Sequence, residues 1–326
     1  MTGAPLLFTR PCDPPAWARN GHAQTLLGHV LASHGERIQD GVSGWTRFEI
    51  GAGDGDRLCA FRHPGDSGVR VHLLHGLSGD VNSDYMRRTA AALIEDGHEV
   101  WAVNHRGCGD GRGLAVQPYH SGKTDDLRAV LRCSREQSGA NKHVVIGFSL
   151  SGNLGLLYAG RRMEPAPDGL IAINPPVDLL GTSNLIGRGL NRIYELRFMH
   201  RLVREVHRGK GRGAFQGGGT VSRWSSLLRF DDEFTAPVCG FESGLDYYAK
   251  CSSGPTLSEV DLPAVIIAAD DDPFVHPSGF QAFPASASVL LHRERWGGHV
   301  GYLDRDWQSG RRWLDGALRH YVAQFA

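Results

Sequence analysis

The chain has 326 residues, enough to bury a substantial core in one large domain with an insertion or in two smaller ones. Its 35 Lys and Arg balance 35 Asp and Glu, so no global charge argues for nucleic acid or an anionic surface, and its 43 glycines show no G-X-Y period, which excludes collagen. The six cysteines form no C-x-x-C pair and fit neither a zinc site nor a dense disulfide framework, so reduced thiols in a cytoplasmic protein are expected. No stretch approaches the ~18 consecutive apolar residues of a membrane span. No charged segment followed by an apolar run marks a signal peptide at the N-terminus.

Residues 1–40 are rich in proline, glycine and histidine and read as an irregular N-terminal arm. Within them Asn20-Gly21-His22-Ala23-Gln24-Thr25 is polar and is also readable as a turn with a helix cap. Trp45–Ile50 and Arg57–Arg62 read as strands, and the turn residues Gly51–Asp56 between them make an antiparallel hairpin. Val69–Leu74 is a stronger strand that ends at His75-Gly76. Tyr85–Asp96 has a helical pattern with Gly97 at its C-terminus, and Glu99–Val103 is the next strand. The glycine-rich run Arg106–Gly113 offers no register for a dinucleotide fingerprint, because Arg112 and Leu114 stand where a third glycine is needed. Gly122-Lys123-Thr124 looks like the tail of a P-loop, but Gln117 replaces its first glycine, so both nucleotide readings are rejected. Ser121 can cap a helix with Asp125 and Asp126 in its first turn and Leu127, Val130, Leu131 and Ser134 on its inner stripe.

The most informative stretch is His143–Asn153. Strand-forming His143-Val144-Val145-Ile146 runs into Gly147, then Ser149, then small residues and the helix-compatible Leu154–Ala159. Strand, sharp turn and helix with a serine at the apex is the layout that the G-x-S-x-G elbow of α/β-hydrolases needs. Here Ser151 replaces the last glycine. Gly169–Ile173 is a further strand, ending at Asn174-Pro175-Pro176. This alternation predicts a mostly parallel sheet with helices on both faces. From about Leu179 to Val260 the rhythm stops. Leu185, Leu190, Ile193, Leu196, Met199, Leu202, Val203 and Val206 recur there at helical spacing. The basic run 208–213 that follows reads as a solvated loop, with contact to an anionic head group as its alternative. Strands resume at Ala264–Ala268 and Val289–His292, and Trp307–Phe325 reads as a terminal helix. The expected architecture is an α/β-hydrolase fold with a mostly parallel eight-stranded sheet and an inserted helical cap. It divides into an arm (1–40), a first core part (41–178), the cap (179–260) and a second core part (261–326).

A serine hydroxyl is a poor nucleophile until a base removes its proton, and that base is usually a histidine oriented by a buried carboxylate. In the expected fold these partners follow the serine in the order Asp or Glu, then His, each at the carboxyl end of a strand. Behind the strand 264–268 comes Asp270-Asp271-Asp272-Pro273. Asp272, directly before the proline that turns the chain, is the expected carboxylate, with Asp271 as runner-up. His299, between Gly298 and Val300 after the last strand, is the expected base for Ser149. The backbone N–H groups of Leu150, directly after the serine, and of Leu77, in His75-Gly76-Leu77-Ser78-Gly79, are the expected oxyanion donors. No Asp/His cluster has metal-ligand spacing, so neither metal nor cofactor is expected.

With these pieces in place the sequence resembles the YheT-like branch of the α/β-hydrolases, bacterial relatives of eukaryotic ABHD1/3-type lipases and esterases. The matching segments are Asn20–Thr25, His75–Gly79, Asn104-His105-Arg106-Gly107-Cys108, Tyr119-His120-Ser121-Gly122 and the elbow at Ser149. Phe230-Asp231-Asp232, Asp246-Tyr247-Tyr248, Asp271-Asp272-Pro273-Phe274 and Gly297-Gly298-His299-Val300-Gly301 complete the set. The resemblance implies Ser149 as nucleophile, Asp272 as its carboxylate and His299 as base. It implies hydrolysis of short- to medium-chain or lipid-like carboxylic esters, with acyl transfer to an alcohol as an alternative. A catalytically weak ligand-binding homologue is the remaining alternative, prompted by Ser151. The expected partner is a small-molecule ester, with no nucleic acid, no integral membrane segment and a monomeric state.

Overall fold

The computed structural model describes residues 5–31, 35–211, 213–215 and 218–326; Arg212 of the predicted basic loop lies outside the described residues. Eight strands form one sheet: β1 (Thr46–Gly51), β2 (Arg57–His63), β3 (Val69–Leu74), β4 (Glu99–Asn104), β5 (Lys142–Phe148), β6 (Gly169–Ile173), β7 (Ala264–Ala269) and β8 (Val289–Glu294). Their order is β1-β2-β4-β3-β5-β6-β7-β8. β2 is antiparallel to both β1 and β4, and every other neighbouring pair is parallel.

Helices α1 (Gly21–Val30), α2 (Asp84–Glu95), α3 (Thr124–Arg135) and α4 (Leu150–Gly160) precede or separate the first six strands. Between β6 and β7 lie α5 (Leu179–Ile186), α6 (Arg192–Lys210), α7 (Leu227–Phe230), α8 (Ala236–Cys239) and α9 (Gly244–Cys251), with a π-turn Asp231–Thr235 joining α7 to α8. The chain closes with α10 (Ser278–Ala282) and α11 (Trp313–Phe325).

The two-residue repeat of a strand sends alternate side chains to opposite faces. In β5, Val144, Ile146 and Phe148 pack with Tyr85, Met86 and Leu93 of α2 and with Trp313, Leu318 and Tyr321 of α11. Val145 faces the other way, into a cluster with Leu127 and Leu131 of α3 and Leu154, Leu156 and Tyr158 of α4. Because helices cover both faces, β6 and β7 are continuous apolar runs, while β3 carries the fully buried Arg70 and His72 among its apolar residues. β5 therefore delivers its C-terminal end, and Ser149, at a rigid central position of the sheet.

Five local expectations differ from the structure. The N-terminal arm contains α1, which Asn20 caps by accepting from the N–H groups of His22 at 2.9 Å and Ala23 at 3.2 Å. Ser121 caps no helix: α3 starts three residues later, and the Ser121 N–H and hydroxyl both meet the Tyr247 hydroxyl at 3.0 Å. Arg208, Gly209 and Lys210 belong to the last turn of α6 rather than to a loop, where cations complement the carbonyl end of the helix. Leu190, Ile193 and Leu196 point outward, while Tyr194, Glu195, Met199, Leu202, Val203 and Val206 form the buried side of α6. The terminal helix begins at Trp313 because Gly310, in a left-handed conformation with φ 79°, breaks the chain before it.

Candidate active site

β5 runs into α4 through Ser149, whose backbone sits at φ 53°, ψ −116°. L-residues avoid this region, and positions held there cost on the order of 1–3 kcal/mol. The turn is so tight that a Cβ on Gly147 would lie 2.3 Å from the Ser151 carbonyl oxygen, so only glycine fits there. The Ser149 N–H is anchored on the Ile173 carbonyl at 2.7 Å. Ser151, which stands where the motif has its last glycine, is accommodated by polar partners. Its hydroxyl donates to the His75 carbonyl and accepts from His105 Nε2 at 2.7 Å. His75 Nδ1 donates to the Gly76 carbonyl at 2.8 Å, leaving its Nε2 to accept from the His105 N–H at 3.1 Å. Burial lowers the pKa of His105 to about 4, and burial together with His105 lowers that of His75 well below its ordinary value, so both rings are neutral spacers.

The structure brings Ser149, His299 and Asp272 into one hydrogen-bonded chain. Ser149 Oγ is 2.8 Å from His299 Nε2, and His299 Nδ1 is 2.8 Å from Asp272 Oδ2. Four donors converge on the Asp272 carboxylate: His299 Nδ1 and Asn174 Nδ2 on Oδ2, and the N–H groups of Phe274 and Val275 on Oδ1 at 2.9 and 3.0 Å. The other two aspartates of the run have different partners. Asp270 pairs with exposed Arg293, while Asp271 Oδ1 accepts from the Gly298 N–H at 2.8 Å. Burial raises the Asp271 pKa against the opposing effect of the Gly298 and Gly297 N–H groups, with the Asp272 charge adding to the rise.

α1 holds the histidine loop in place. Thr25 Oγ1 donates to the Gly21 carbonyl at 2.7 Å and accepts from the His299 N–H at 2.9 Å. Gln24 clamps Leu303 from both sides, with Oε1 accepting from its N–H and Nε2 donating to its carbonyl. The contact is close enough that a Cβ on Gly298 would lie 2.5 Å from the Gly21 carbonyl oxygen. Val300 and Tyr302 in this loop have φ of 65° and 43°, values that a β-branched or bulky side chain adopts only under constraint.

The loop after β3 lies against the turn at Ser149: a Cβ on Gly76 would be 3.2 Å from that of Ser149. Two tyrosines take up the amides on either side of Leu77. The Gly76 N–H donates to Tyr85 Oη at 2.9 Å and the Ser78 N–H to Tyr119 Oη at 2.8 Å. The Leu77 N–H has no hydrogen-bond partner among the described residues. Leu150 is the first residue of α4, so its N–H is one of the helix's unpaired N-terminal donors.

A cavity of ≈ 440 Å³ opens onto Ser149, Leu150, Leu77 and His299, and its wall includes Leu179, Phe198, Leu202, Phe230 and Phe274. Two acids interrupt this apolar lining. Asp231, in the π-turn, accepts from Thr235 Oγ1 and Tyr248 Oη, both at 2.6 Å, and burial pushes its pKa up to about 6 against those donors. Burial pushes Glu205 up to about 7, opposed by Arg112, Arg201 and Arg208.

The three residues singled out in the sequence, Ser149, Asp272 and His299, meet in the structure, whereas the residues that hold them were not singled out for that: Thr25 and Gln24, Asn174, Tyr85 and Tyr119, and the Ser151–His105 link. The polar run Asn20–Thr25 was the available signal for the first pair. For the others no spacing rule applies, because partners such as Asn174 and Asp272 are brought together only by adjacent strand ends.

A family model described as alpha/beta hydrolase fold matches residues 69–306. The chain is 28% identical over 318 residues to YheT of Escherichia coli, which is named as an esterase, covering 94% of this chain and 91% of that one. It is 24% identical to human phospholipase ABHD3, covering 97% and 79% of the two chains. It is also 24% identical to medium-chain fatty acid ethyl ester synthase/esterase 2 of Saccharomyces cerevisiae, covering 78% and 62%. An esterase from Pyrococcus furiosus superposes with a TM-score of 0.58 at 16% identity over 90% of this chain and 98% of that one, which speaks to the fold. Sheet order, elbow and family match agree, and the chain belongs to the α/β-hydrolase family.

Proposed function

We propose that the protein cleaves carboxylic esters of short to medium acyl chain, or lipid-like esters, through an acyl-enzyme on Ser149. The observation that carries this reading is the unbroken chain from Ser149 Oγ through His299 to Asp272, facing an apolar cavity. Relatives named as esterase and phospholipase support the choice of an ester bond. His299 Nε2 takes the serine proton as Oγ attacks the ester carbonyl carbon. Asp272 holds the ring with Nδ1 protonated and stabilises the imidazolium. The carbonyl oxygen becomes an oxyanion received by the N–H groups of Leu77 and Leu150, each worth about 10²–10³ in rate. His299 returns the proton to the leaving alcohol oxygen. A water, deprotonated by the same ring, then releases the acid. The cavity volume falls within the about 300–1,000 Å³ usual for small-molecule pockets, which fits an acyl chain of medium length.

A second reading keeps this machinery and delivers the acyl group to an alcohol, favoured by the relative named both synthase and esterase. Hydrolysis of p-nitrophenyl octanoate in the presence of ethanol separates the two. Ethyl octanoate among the products supports transfer, and octanoic acid alone excludes it.

Three further outcomes follow from the geometry. Ser149→Ala lowers kcat on p-nitrophenyl butyrate by about 10⁵–10⁶, as removal of a nucleophile does in a serine triad; full activity of this variant contradicts the assignment. Thr25→Val removes the acceptor of the His299 N–H and lets the histidine loop shift. It is expected to lower kcat by about 10–10² with KM little changed, since small misplacements of reacting groups cost that much; an unaltered kcat removes Thr25 from the positioning set. Glu205 is neutral below its pKa of about 7 and negative above it. The KM for an uncharged acyl ester therefore rises severalfold between about pH 6 and pH 8.5 in the wild type and stays flat in Glu205→Gln. A wild-type KM independent of pH contradicts a role for this acid in the acyl cavity.

A further inference from the structure

The chain as a whole is neutral, with 35 basic and 35 acidic residues, but its cations are unevenly spread. Arg192, Arg197, Arg201, Arg204, Arg208 and Lys210 are all exposed along α6, with exposed His200 and His207 between them. The two acids of this helix are on its inner side: Glu195 is buried and accepts from the Leu227 N–H at 2.9 Å, and Glu205 lines the cavity. Among the described residues no carboxylate forms an ion pair with any of the five arginines. Elsewhere on the surface pairing is usual: Arg57, Arg162, Arg229, Arg293, Arg311 and Arg319 each contact an acid.

The same face exposes large apolar side chains. Leu190, just before the helix, is 70% exposed and Ile193 is 65% exposed, with Leu196 beside them. Ile193, Arg197, His200 and Arg204 recur at three- and four-residue spacing, so they share one side of the helix. Trp224, 68% exposed, precedes the Leu227 that bonds Glu195. Apolar side chains flanked by unpaired cations make the pattern of a helix that lies in a bilayer interface. A nucleic acid would engage the charge and leave Leu190 and Ile193 in water, whereas an anionic bilayer engages both.

We propose that the outward face of α6 docks the protein onto an anionic lipid bilayer, with Leu190, Ile193 and Leu196 entering the acyl boundary and Arg192, Arg197 and Arg204 meeting the phosphate head groups. The proposed attachment is through this exposed face; no helix of the described residues is long and apolar enough to cross a membrane. The docked helix is also the one whose inner side, through Phe198, Leu202 and Glu205, walls the cavity. Binding, and not turnover, is the readout, so the ester-cleaving reading stands or falls separately.

The test is co-sedimentation of the full chain with phosphatidylcholine vesicles, pure or carrying about 30% phosphatidylglycerol, at low and high salt. The wild type is expected to pellet with the anionic vesicles only, and to be released as NaCl rises from ~0.05 to ~0.5 M. Each arginine near an anionic surface is worth about a fivefold change in partition, so Arg197→Glu with Arg204→Glu weakens binding at least about 25-fold. Leu190→Ser with Ile193→Ser weakens it severalfold. Both double variants alter exposed side chains outside the site and keep wild-type hydrolysis of soluble p-nitrophenyl acetate, which reports an intact fold. Absence of binding at low salt overturns the proposal, as does equal binding of the wild type and the charge variant. Tight binding to duplex DNA with none to vesicles also overturns it, by assigning the face to nucleic acid.

Discussion

The backbone of Ser149 is the constraint around which this molecule is built. A serine at φ 53°, ψ −116° is held only because its surroundings leave it no alternative. β5 is fixed on both sides by parallel neighbours, the Ser149 N–H is tied to Ile173, and α4 begins at the next residue. Strain is not confined to the serine. Of the non-glycine residues with positive φ, Ser78, Asn174, Val300 and Tyr302 also lie in loops around the site. Each belongs to a different strand end or to the histidine loop, and each is over-determined by hydrogen bonds or by packing against α1. The fold thus concentrates its unfavourable backbone at the place where side chains must be aimed.

A second set of polar contacts joins the helices between β6 and β7 to the sheet. Tyr247 bonds Ser121, and Tyr248 bonds Asp231 and Ser183. Asn153, on the helix that follows Ser149, donates to the Cys251 carbonyl at 2.8 Å and accepts from the Ser253 N–H at 2.9 Å. His22 of α1 meets Tyr194 of α6 at 3.1 Å, and Tyr194 in turn packs on Phe274 beside His299. Buried polar groups are costly unless satisfied, so such pairs fix one relative placement of the helices over the strand ends. The cavity exists because of that placement: its wall combines side chains from β-strand loops and from α5, α6 and α7.

These joints also show which parts of the molecule could be read from the amino acids. Strands β5 to β7 were legible as short apolar runs beside glycine or proline, and β3 and β4 because a glycine turn precedes each, despite the buried Arg70, His72 and Glu99. Ser149 was legible because an elbow is a local event, written in consecutive residues. Asp272 and His299 were reachable from chain order and strand ends, although only coordinates separate Asp272, which touches His299, from Asp271, which holds the Gly298 amide. α1 was hidden by its composition, since Gly21, His22 and Gly28 are weak helix formers and the helix depends on the Asn20 cap and on packing against the histidine loop. The outward turn of Leu190 and Ile193 was hidden for the opposite reason: periodicity gives a face but not its direction, and apolar residues that stay in water look the same in sequence as those that do not. Ser151 looked like a defect in the motif, and its partners on His75 and His105 are visible only when two distant strand ends meet.

The central claim is that His299 makes one particular oxygen reactive. Intact-protein and peptide mass spectrometry after brief exposure to an uncharged fluorophosphonate tests this without choosing a substrate. The account predicts a single adduct, located on Ser149, whose rate of formation falls by about 10³ or more in His299→Ala. An adduct on another residue, or an equal rate in the two proteins, contradicts it.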